Sequence, residues 1–477
     1  IEAGDRVAVV MPSWPEFVVA MFAIAKLGAV IVPLNPHLTA AELQYMLRHS
    51  EAVAAITAED LDDLDFLQLF EELMTQLPEL QYLVTVGQED LWYGDRIFQF
   101  EDLVSAGAGK SYPAAPPEAE RELFAILYTS GTMGKPKGVG VSDRNLLVAA
   151  ARTAEGLGLT EGDRVVGLLA LFHVFGLGPG ILGSLLSGSA LILSETLDGA
   201  TALDLIEHHR ATVHYGVPTV FVRELHEQAA SPRDVSSLRI GLVAGAPVSD
   251  ELVQSVEEHL CPELLIAYSL TETSSTICMT RATDPTEKRR FTVGRPLEGT
   301  EVKVVGPDGE DLPEESIGEI AVRGPGVMSG YYRQPKETSS FFDDDQYLLT
   351  GDLGMVDEDG YVHLVGRSKE VIIRASINVY PREVEARLHA HPAVDAAAVV
   401  GVPDEVLGEA ICACIVPVEG AIVTDQEIHD WCLVTLADHK IPDMVRFLDA
   451  LPETGTGQIR RIELSRMLQE ERQSHRT

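Results

Sequence analysis

The sequence contains few cysteines. Five are present among 477 residues, namely Cys261, Cys278, Cys412, Cys414 and Cys432, and only one pair is close in sequence. A single residue separates Cys412 from Cys414, a spacing typical of two side chains on the same face of a buried strand. A metal site built from cysteines is therefore not predicted.

Basic residues are scarce relative to acidic ones. The chain has 36 Lys and Arg against 74 Asp and Glu, which gives a formal net charge of -38. Such a surface repels phosphate backbones and anionic membranes, so we expect no nucleic-acid partner and no membrane partner. Salt-adapted proteins and very soluble cytosolic proteins share this acidity, and the sequence leaves that choice open. We expect a cytoplasmic location.

Long uninterrupted apolar segments are also absent. Residues 17–32 are mostly apolar, but Lys26 and Gly28 interrupt them and Pro33 follows. This pattern predicts a buried helix that leads into a strand rather than a membrane span. There is no secretory signal pattern. Because the sequence opens at Ile1 and soon enters the strand-like RVAVVM, we expect that an N-terminal segment is missing.

The sequence does contain enough apolar material for more than one core, since 45% of its residues are hydrophobic. Short β-branched apolar runs alternate with helical patterns, which predicts an α/β fold with stacked, largely parallel sheets. These runs lie at residues 7–11, 29–32, 123–129, 190–193, 213–215, 238–243 and 264–268.

The pattern changes twice in the second half of the chain. From about residue 292, alternating strands are separated by turn signals such as Pro-Asp-Gly, which predicts an antiparallel β subdomain over residues 292–365. From residue 366, helix and strand patterns resume and predict a compact α+β domain. We therefore predict a large N-terminal domain, residues 1–365, followed by a small C-terminal domain, residues 366–477.

A glycine-rich stretch, LYTSGTMGKPKGVGVS at residues 127–142, follows one of the apolar runs. It is not a Walker A loop, because only two residues separate Gly131 from Gly134 and Lys135 is followed by Pro136. Its small residues nevertheless let backbone N–H groups point at an anion, its hydroxyls add donors and Lys137 supplies a positive charge. The stretch therefore predicts a phosphate-binding loop.

This loop resembles the signature loop of the adenylate-forming superfamily, which comprises acyl-CoA synthetases, peptide-synthetase adenylation domains and beetle luciferases. Other stretches resemble that superfamily in the same order along nearly the whole chain. They are LFHVFGLG, GAPVS, AYSLTET, VGRPLEGTEVKVV, GEIAVRG, YLLTGDLG, GRSKEVIIRASINVYPREVE, GVPDEVLGEA and LPETGTGQIRR. The closest likeness is to acyl- and aryl-CoA ligases.

The resemblance implies a two-step reaction. A carboxylate attacks the α-phosphate of ATP to give an acyl-adenylate and pyrophosphate, and a nucleophile, commonly coenzyme A, then displaces AMP. It also implies Mg²⁺ as a cofactor, a monomer or homodimer, and a mobile C-terminal lid. The hinge of this lid would lie near residues 367–370, with Lys369 at its centre.

The resemblance further implies a nucleotide site. Lys137 would bind the β- and γ-phosphates and Glu272 would hold Mg²⁺. Adenine would lie between the Gly245 loop and Tyr268, while Asp352 and Arg367 would bind the ribose. The complete nucleotide set is Thr129, Ser130, Gly131, Thr132, Gly134, Gly245, Ala246, Pro247, Tyr268, Ser269, Thr271, Asp352 and Arg367.

An acyl pocket is implied next to the nucleotide site. Taken alone, His173 lies among apolar residues and is typical of a core histidine, but the resemblance places it at the carboxylate of the substrate. Together with Lys137, Glu272 and Gln458 it completes the predicted catalytic set. The pocket would be lined by His173, Val174, Phe175, Tyr215, Gly216, Gly245 and Thr271. A mostly apolar pocket with some aromatic surface suits a small aromatic or medium-chain acid.

Four positions depart from the superfamily pattern. Met133 and Asp143 stand where a threonine and a histidine are usual, and Ser376 replaces a glycine beside the path of coenzyme A. Gln458 replaces the lysine that stabilises charge on the reacting carboxylate and α-phosphate. Losing one such donor typically slows a reaction by about 10²- to 10³-fold. Gln458 could be an engineered change, a tolerated natural residue or a mark of a degenerate member.

These departures leave three functions open. The leading one is ATP-dependent activation of a small aromatic or medium-chain carboxylic acid, followed by transfer to coenzyme A. In the second, adenylation is retained but the acceptor or the substrate differs, such as a carrier protein, an amine or nitrite. The third is a catalytically impaired protein that binds nucleotide.

Overall fold

The computed structural model describes residues 1–61, 64–87, 95–111, 123–129, 136–167, 169–196, 198–375, 377–404, 406–452 and 459–474. These residues form two large mixed sheets, a four-stranded antiparallel sheet, a five-stranded sheet near the C-terminus and a small hairpin of Asp60–Leu61 and Leu64–Asp65. The predicted fold class, mixed α/β with a β subdomain and a smaller α+β C-terminal part, is confirmed. Within the described ranges, no helix is both long and apolar enough to cross a membrane.

The first large sheet has eight strands, and its central strands are parallel. In spatial order they are Gly330–Tyr331, Lys137–Val141, Ala125–Thr129, Val30–Pro33, Arg6–Val10, Ala52–Ala58, Tyr82–Val86 and Ile97–Gln99. At one side of the sheet the strands are antiparallel, unlike the largely parallel sheet that the sequence predicts. There Ala125–Thr129 pairs with Lys137–Val141, and Thr129 lies opposite Lys137. Tyr331 pairs with Val139 beyond them. Thr129, Lys137 and Tyr331 therefore lie near one another.

The second large sheet has seven strands. In spatial order they are Ala190–Ile192, Arg164–Gly167, Val213–Gly216, Ile240–Ala244, Leu264–Leu270, Ser275–Met279 and Arg295–Pro296. The first five are parallel and the last two are antiparallel to their neighbours. Gly216 lies opposite Val243 and Ala244 lies opposite Ala267, so these strands end at a common edge. Ligands of α/β proteins usually bind at such an edge.

Helices connect and flank these sheets. They are Pro15–Leu27, Ala40–Ser50, Phe66–Gln76, Phe100–Gly107, Asp143–Gly156, Gly183–Ser187, Gly199–His209, Pro218–Ala230, Asp250–His259, Thr286–Phe291, Pro335–Ser339, Pro381–His389, Asp425–Leu433 and Arg461–Ser474. The helix predicted within residues 17–32 begins at Pro15, whose missing N–H is not needed in a first turn, and ends before Gly28, whose φ is 75°. It leads into the predicted buried strand Val30–Pro33.

The antiparallel sheet contains Glu301–Val305, Gly318–Arg323, Leu348–Val356 and Val362–Arg367. The C-terminal sheet contains Ile372–Arg374, Ile377–Val379, Val394–Asp404, Gly408–Pro417 and Met444–Phe447. Cys412 and Cys414 lie in one strand, as predicted, and both are buried against Leu464 and Leu468 of the last helix.

Candidate active site

The common strand edge of the second sheet holds several residues of the predicted site. Gly216 ends one strand, Gly245 follows the next, and Thr271 follows the third. Gly245 has a φ of 87°, a left-handed conformation that glycine adopts without strain. Ala246 and Pro247 are exposed beside it. The backbone of this loop is therefore accessible to a flat ligand at the edge of the sheet.

A hydrogen-bonded triad lies at one side of this edge. The Tyr268 hydroxyl donates to Oδ2 of Asp352 at 2.6 Å, and Nε of Arg367 donates to Oδ1 at 3.0 Å. Asp352 is only 6% exposed and lies opposite Arg367 in the antiparallel sheet. Burial and the Asp352 charge both raise the pKa of Tyr268, so its hydroxyl remains a donor. We call Tyr268, Asp352 and Arg367 the ribose triad.

A second group lies at the other end of the same segment. The Lys137 ammonium contacts the Glu337 carboxylate and faces the rings of Tyr331 and Phe341, at 4.9 and 4.6 Å from their centroids. The Tyr331 hydroxyl donates to Oε1 of Glu272 at 2.9 Å. We call Lys137, Glu272, Tyr331, Glu337 and Phe341 the phosphate cluster. The phosphate cluster therefore contains one cation, Lys137, and two carboxylates, Glu272 and Glu337.

The Glu272 carboxylate has the chemistry of a Mg²⁺ ligand. Apart from Tyr331, no described residue donates a hydrogen bond to its side chain. The described residues also contain no group of three or more His, Cys, Asp or Glu side chains arranged to hold a metal. Mg²⁺ is commonly bound by one or two carboxylates together with substrate phosphates and waters, rather than by a protein cage. Glu272 therefore fits an ion shared with a nucleotide.

The predicted acyl pocket lies around the loop that contains His173. Val174 and Phe175 are buried, and the Phe175 ring stacks on Tyr215 with centroids 5.8 Å apart. The Phe175 N–H donates to Nδ1 of His173 at 3.3 Å. Burial lowers the pKa of His173 to about 4, so this imidazole is neutral at physiological pH. It can hydrogen-bond a substrate but supplies no positive charge there.

Two features of the fold set the position of this loop. Ser13, which follows the first strand, donates from Oγ to the Leu169 carbonyl at 3.0 Å and accepts from the Leu171 N–H at 3.3 Å. After Phe175 the chain forms a π-helical turn, Gly176–Leu182, of a kind often found at functional sites. The loop is therefore fixed at both ends.

The remaining predicted residues fall into three groups. Ser269 and Thr271 are half-buried at the end of the strand that carries Tyr268, and Thr129 lies opposite Lys137. Lys369 lies in a short turn, Ser368–Glu370, and its hinge role stays a prediction. The positions Ser130, Gly131, Thr132, Met133, Gly134, Ser376 and Gln458 lie outside the described residues.

Sequence reasoning missed three members of the phosphate cluster: Tyr331, Glu337 and Phe341. All three lie in GYYRQPKETSSFF, residues 330–342, whose aromatic and acidic content was the available signal. The strand that carries Tyr331, Gly330–Tyr331, has only two residues and shows no periodicity. Its pairing with Val139 is a long-range contact that no local pattern predicts.

Comparison with known proteins identifies the family of this chain. Residues 1–332 match the family described as AMP-binding enzyme, and residues 383–458 match the AMP-binding enzyme C-terminal domain. A feruloyl-CoA synthase of Amycolatopsis sp is 34% identical over 471 residues, which cover 98% of this chain and 89% of the relative. The mitochondrial medium-chain acyl-CoA ligase ACSF2 of Bos taurus is 32% identical over 492 residues, covering 98% and 80%.

Solved structures are similar over the same span. ATP-bound MatB from Rhodopseudomonas palustris has a TM-score of 0.87 at 30% identity, and the match covers 98% of this chain and 90% of the MatB chain. The anthranilate CoA ligase AuaEII in complex with anthranoyl-AMP has a TM-score of 0.88 at 28% identity, with 98% and 88% covered. Because the sequence matches span most of its length, the chain belongs to the AMP-binding enzyme family.

Proposed function

We propose that this protein activates a small aromatic or medium-chain carboxylic acid with ATP and transfers the acyl group to coenzyme A. The observation that supports this best is the arrangement along one segment at the edge of the second sheet. Tyr268 of this segment belongs to the ribose triad, where it contacts Asp352, and Glu272 belongs to the phosphate cluster, where it contacts Tyr331. A nucleotide lying along the segment would meet hydroxyl-binding groups at one end and charge-binding groups at the other.

The first step would form the acyl-adenylate. A carboxylate oxygen attacks the α-phosphorus, a new P–O bond forms, and the bond to the β-phosphate oxygen breaks to release pyrophosphate. Two anions must approach each other, so catalysis depends on positioning and on positive charge aimed at the phosphates. Lys137 supplies such a charge from this chain. Mg²⁺, when bound by Glu272 and the nucleotide, supplies further neutralisation of the phosphate oxygens.

The second step would form the thioester. The sulfur of coenzyme A attacks the acyl carbon, the bond between that carbon and the AMP oxygen breaks, and the thiol proton passes to solvent. AMP is a good leaving group where hydroxide is a poor one, which is why the acid is activated first. In the first step, the neutral His173 would orient the substrate carboxylate through a hydrogen bond without forming an ion pair with it.

The acyl pocket supports the proposed substrate class. The walls predicted for it include Val174, which is apolar and buried, and the buried, stacked rings of Phe175 and Tyr215. Such walls favour an aromatic ring or an alkyl chain over a charged group. The names of the two relatives, a feruloyl-CoA synthase and a medium-chain acyl-CoA ligase, cover the same two classes.

Pyrophosphate release tests the proposal. Wild type and Gln458→Lys would be assayed with a panel of aromatic and aliphatic acids, with and without coenzyme A. We expect release only with acid, faster release with coenzyme A, and a gain of about 10²- to 10³-fold in the lysine variant, because a positive charge is restored. Gln458→Met, which changes the side chain without adding charge, is the matched control and should show no gain.

The outcomes separate the alternatives. No pyrophosphate release from either protein with any acid of the panel contradicts the proposed function, and ATP binding without release then favours the impaired nucleotide-binding protein. Release that coenzyme A does not accelerate favours a second candidate, in which another nucleophile accepts the acyl group. Ser376 favours this candidate, because it replaces the glycine expected beside the path of coenzyme A.

A further inference from the structure

The phosphate cluster contains a residue that contacts both charged groups predicted to bind magnesium and phosphate. Tyr331 presents its ring face to the Lys137 ammonium at 4.9 Å, and its hydroxyl donates to Glu272 at 2.9 Å. A tyrosine is suited to this double contact, because its ring face attracts a cation and its hydroxyl donates to an anion. Within the described residues, the Lys137 ammonium and the Glu272 carboxylate form neither an ion pair nor a hydrogen bond with each other.

The position of Tyr331 is itself well determined. The residue is only 5% exposed, its backbone pairs with Val139, and its N–H donates to Oγ1 of Thr338 at 2.9 Å. Its ring packs edge to face on Phe341, with centroids 5.3 Å apart. Burial and the nearby Glu272 both raise the pKa of Tyr331, so its hydroxyl remains protonated and donates. Few other orientations are available to this side chain.

The other partners of Lys137 differ from Tyr331. Glu337 is half exposed, and its carboxylate would compete with a bound phosphate for the same ammonium. Phe341 also faces the ammonium, at 4.6 Å, but has no hydroxyl and cannot hydrogen-bond Glu272. Only Tyr331, among the described partners of Lys137, contacts both the cation and the carboxylate.

We infer that Tyr331 is a positioning residue that holds Lys137 and Glu272 at the separation required by a magnesium–polyphosphate. Its hydroxyl fixes the carboxylate that binds the metal, and its ring fixes the cation that binds the phosphates. The inference rests on the proposed function only because it takes magnesium–ATP as the ligand.

Calorimetric titration with ATP, at a series of Mg²⁺ concentrations and without acid, tests this inference independently of turnover. In Tyr331→Phe the ring stays and the hydrogen bond to Glu272 is lost. We expect the Mg²⁺ concentration that gives half-maximal ATP affinity to rise by about tenfold, in line with the loss of one hydrogen bond to a charged group. Affinity measured without Mg²⁺ should stay within about twofold of wild type, since the ring contact with Lys137 is retained.

Two further variants separate the hydroxyl from the ring. Tyr331→Leu removes both contacts and should also weaken Mg²⁺-free ATP binding, by about threefold or more. Phe341→Leu is the matched control: it should weaken Mg²⁺-free binding and leave the Mg²⁺ requirement unchanged. Thermal melting of each variant verifies that it is folded, and Tyr331→Phe is the smallest change in the set.

Three results would overturn the inference: wild-type Mg²⁺ dependence in a folded Tyr331→Phe, an equal shift in Phe341→Leu, or no ATP binding by the wild type. Failure of the proposed function would look different. In that case the wild type and Tyr331→Phe would still differ in Mg²⁺ dependence, but no acid would release pyrophosphate.

Discussion

The ribose triad and the phosphate cluster lie at the two ends of one short segment but are built differently. In the triad, both oxygens of the buried Asp352 accept short hydrogen bonds, from Tyr268 and Arg367. In the cluster, Lys137 contacts a carboxylate that is half exposed and two ring faces. The first is a buried carboxylate whose two oxygens have defined hydrogen-bond partners. The second places the Lys137 ammonium beside the half-exposed Glu337 carboxylate, which a phosphate would have to displace under the proposed function.

This difference indicates how each end would contribute to the proposed reaction. Contacts to a ribose are the same before and during phosphoryl transfer, so the triad should contribute to binding. Charge on the phosphate oxygens shifts as pyrophosphate leaves, so the cluster should contribute to rate. Changes at the two ends should therefore appear in different kinetic constants.

The largest effect is expected at the cluster. Lys137→Met keeps a long apolar side chain but removes the charge, and we expect kcat for pyrophosphate release to fall by about 10²- to 10³-fold. The KM for ATP should change much less than kcat. Steady-state kinetics with saturating acid measures both constants. A rise in KM with unchanged kcat would contradict the assignment of this end to the rate.

At the triad we expect a smaller effect, which should appear in the KM for ATP rather than in kcat. Asp352→Asn removes the charge that pairs with Arg367 and replaces one acceptor oxygen with a donor. We expect the KM for ATP to rise by about thirtyfold, equivalent to roughly 2 kcal/mol, with little change in kcat. Tyr268→Phe, which leaves the carboxylate in place, is the control and should raise KM by no more than about tenfold. Equal losses of kcat in Asp352→Asn and Lys137→Met would remove the distinction between the two ends.

The smallest effect concerns His173, a residue of the predicted acyl pocket. The pKa of His173 is about 4 in the folded protein, below its usual value, because burial disfavours the charged form. The unfolded chain therefore takes up a proton first as the pH falls, and stability is lost from about pH 6.5 down to about pH 4. Between pH 7 and pH 5, the free energy of unfolding of the wild type should fall by about 2 kcal/mol more than that of His173→Asn.

Urea denaturation of both proteins at the two pH values measures this difference. Other titrating groups are common to both chains and cancel in the comparison. Equal losses of stability in the two proteins would show that His173 is not held neutral by burial.

The sequence predicted the triad more completely than the cluster, and the reason is physical. Tyr268, Asp352 and Arg367 lie in recognisable stretches, AYSLTET, YLLTGDLG and GRSKE, and their roles follow from resemblance. Tyr331 reaches Lys137 through a pairing between distant strands, one of which has two residues. The fold class was predictable because short β-branched apolar runs alternate with helical patterns. The hydrogen bond that Tyr268 donates to Asp352 was not, because it depends on how two sheets meet.

Transfer of ¹⁸O from the acid to AMP tests most directly whether a carboxylate of the substrate attacks the α-phosphate of ATP. The protein would be incubated with ATP, coenzyme A and an accepted acid whose carboxylate carries ¹⁸O, and the products would be analysed by mass spectrometry. This mechanism predicts AMP that contains one ¹⁸O atom, because the attacking oxygen stays on phosphorus when the thioester forms. Unlabelled AMP, or ADP in place of AMP, would contradict it.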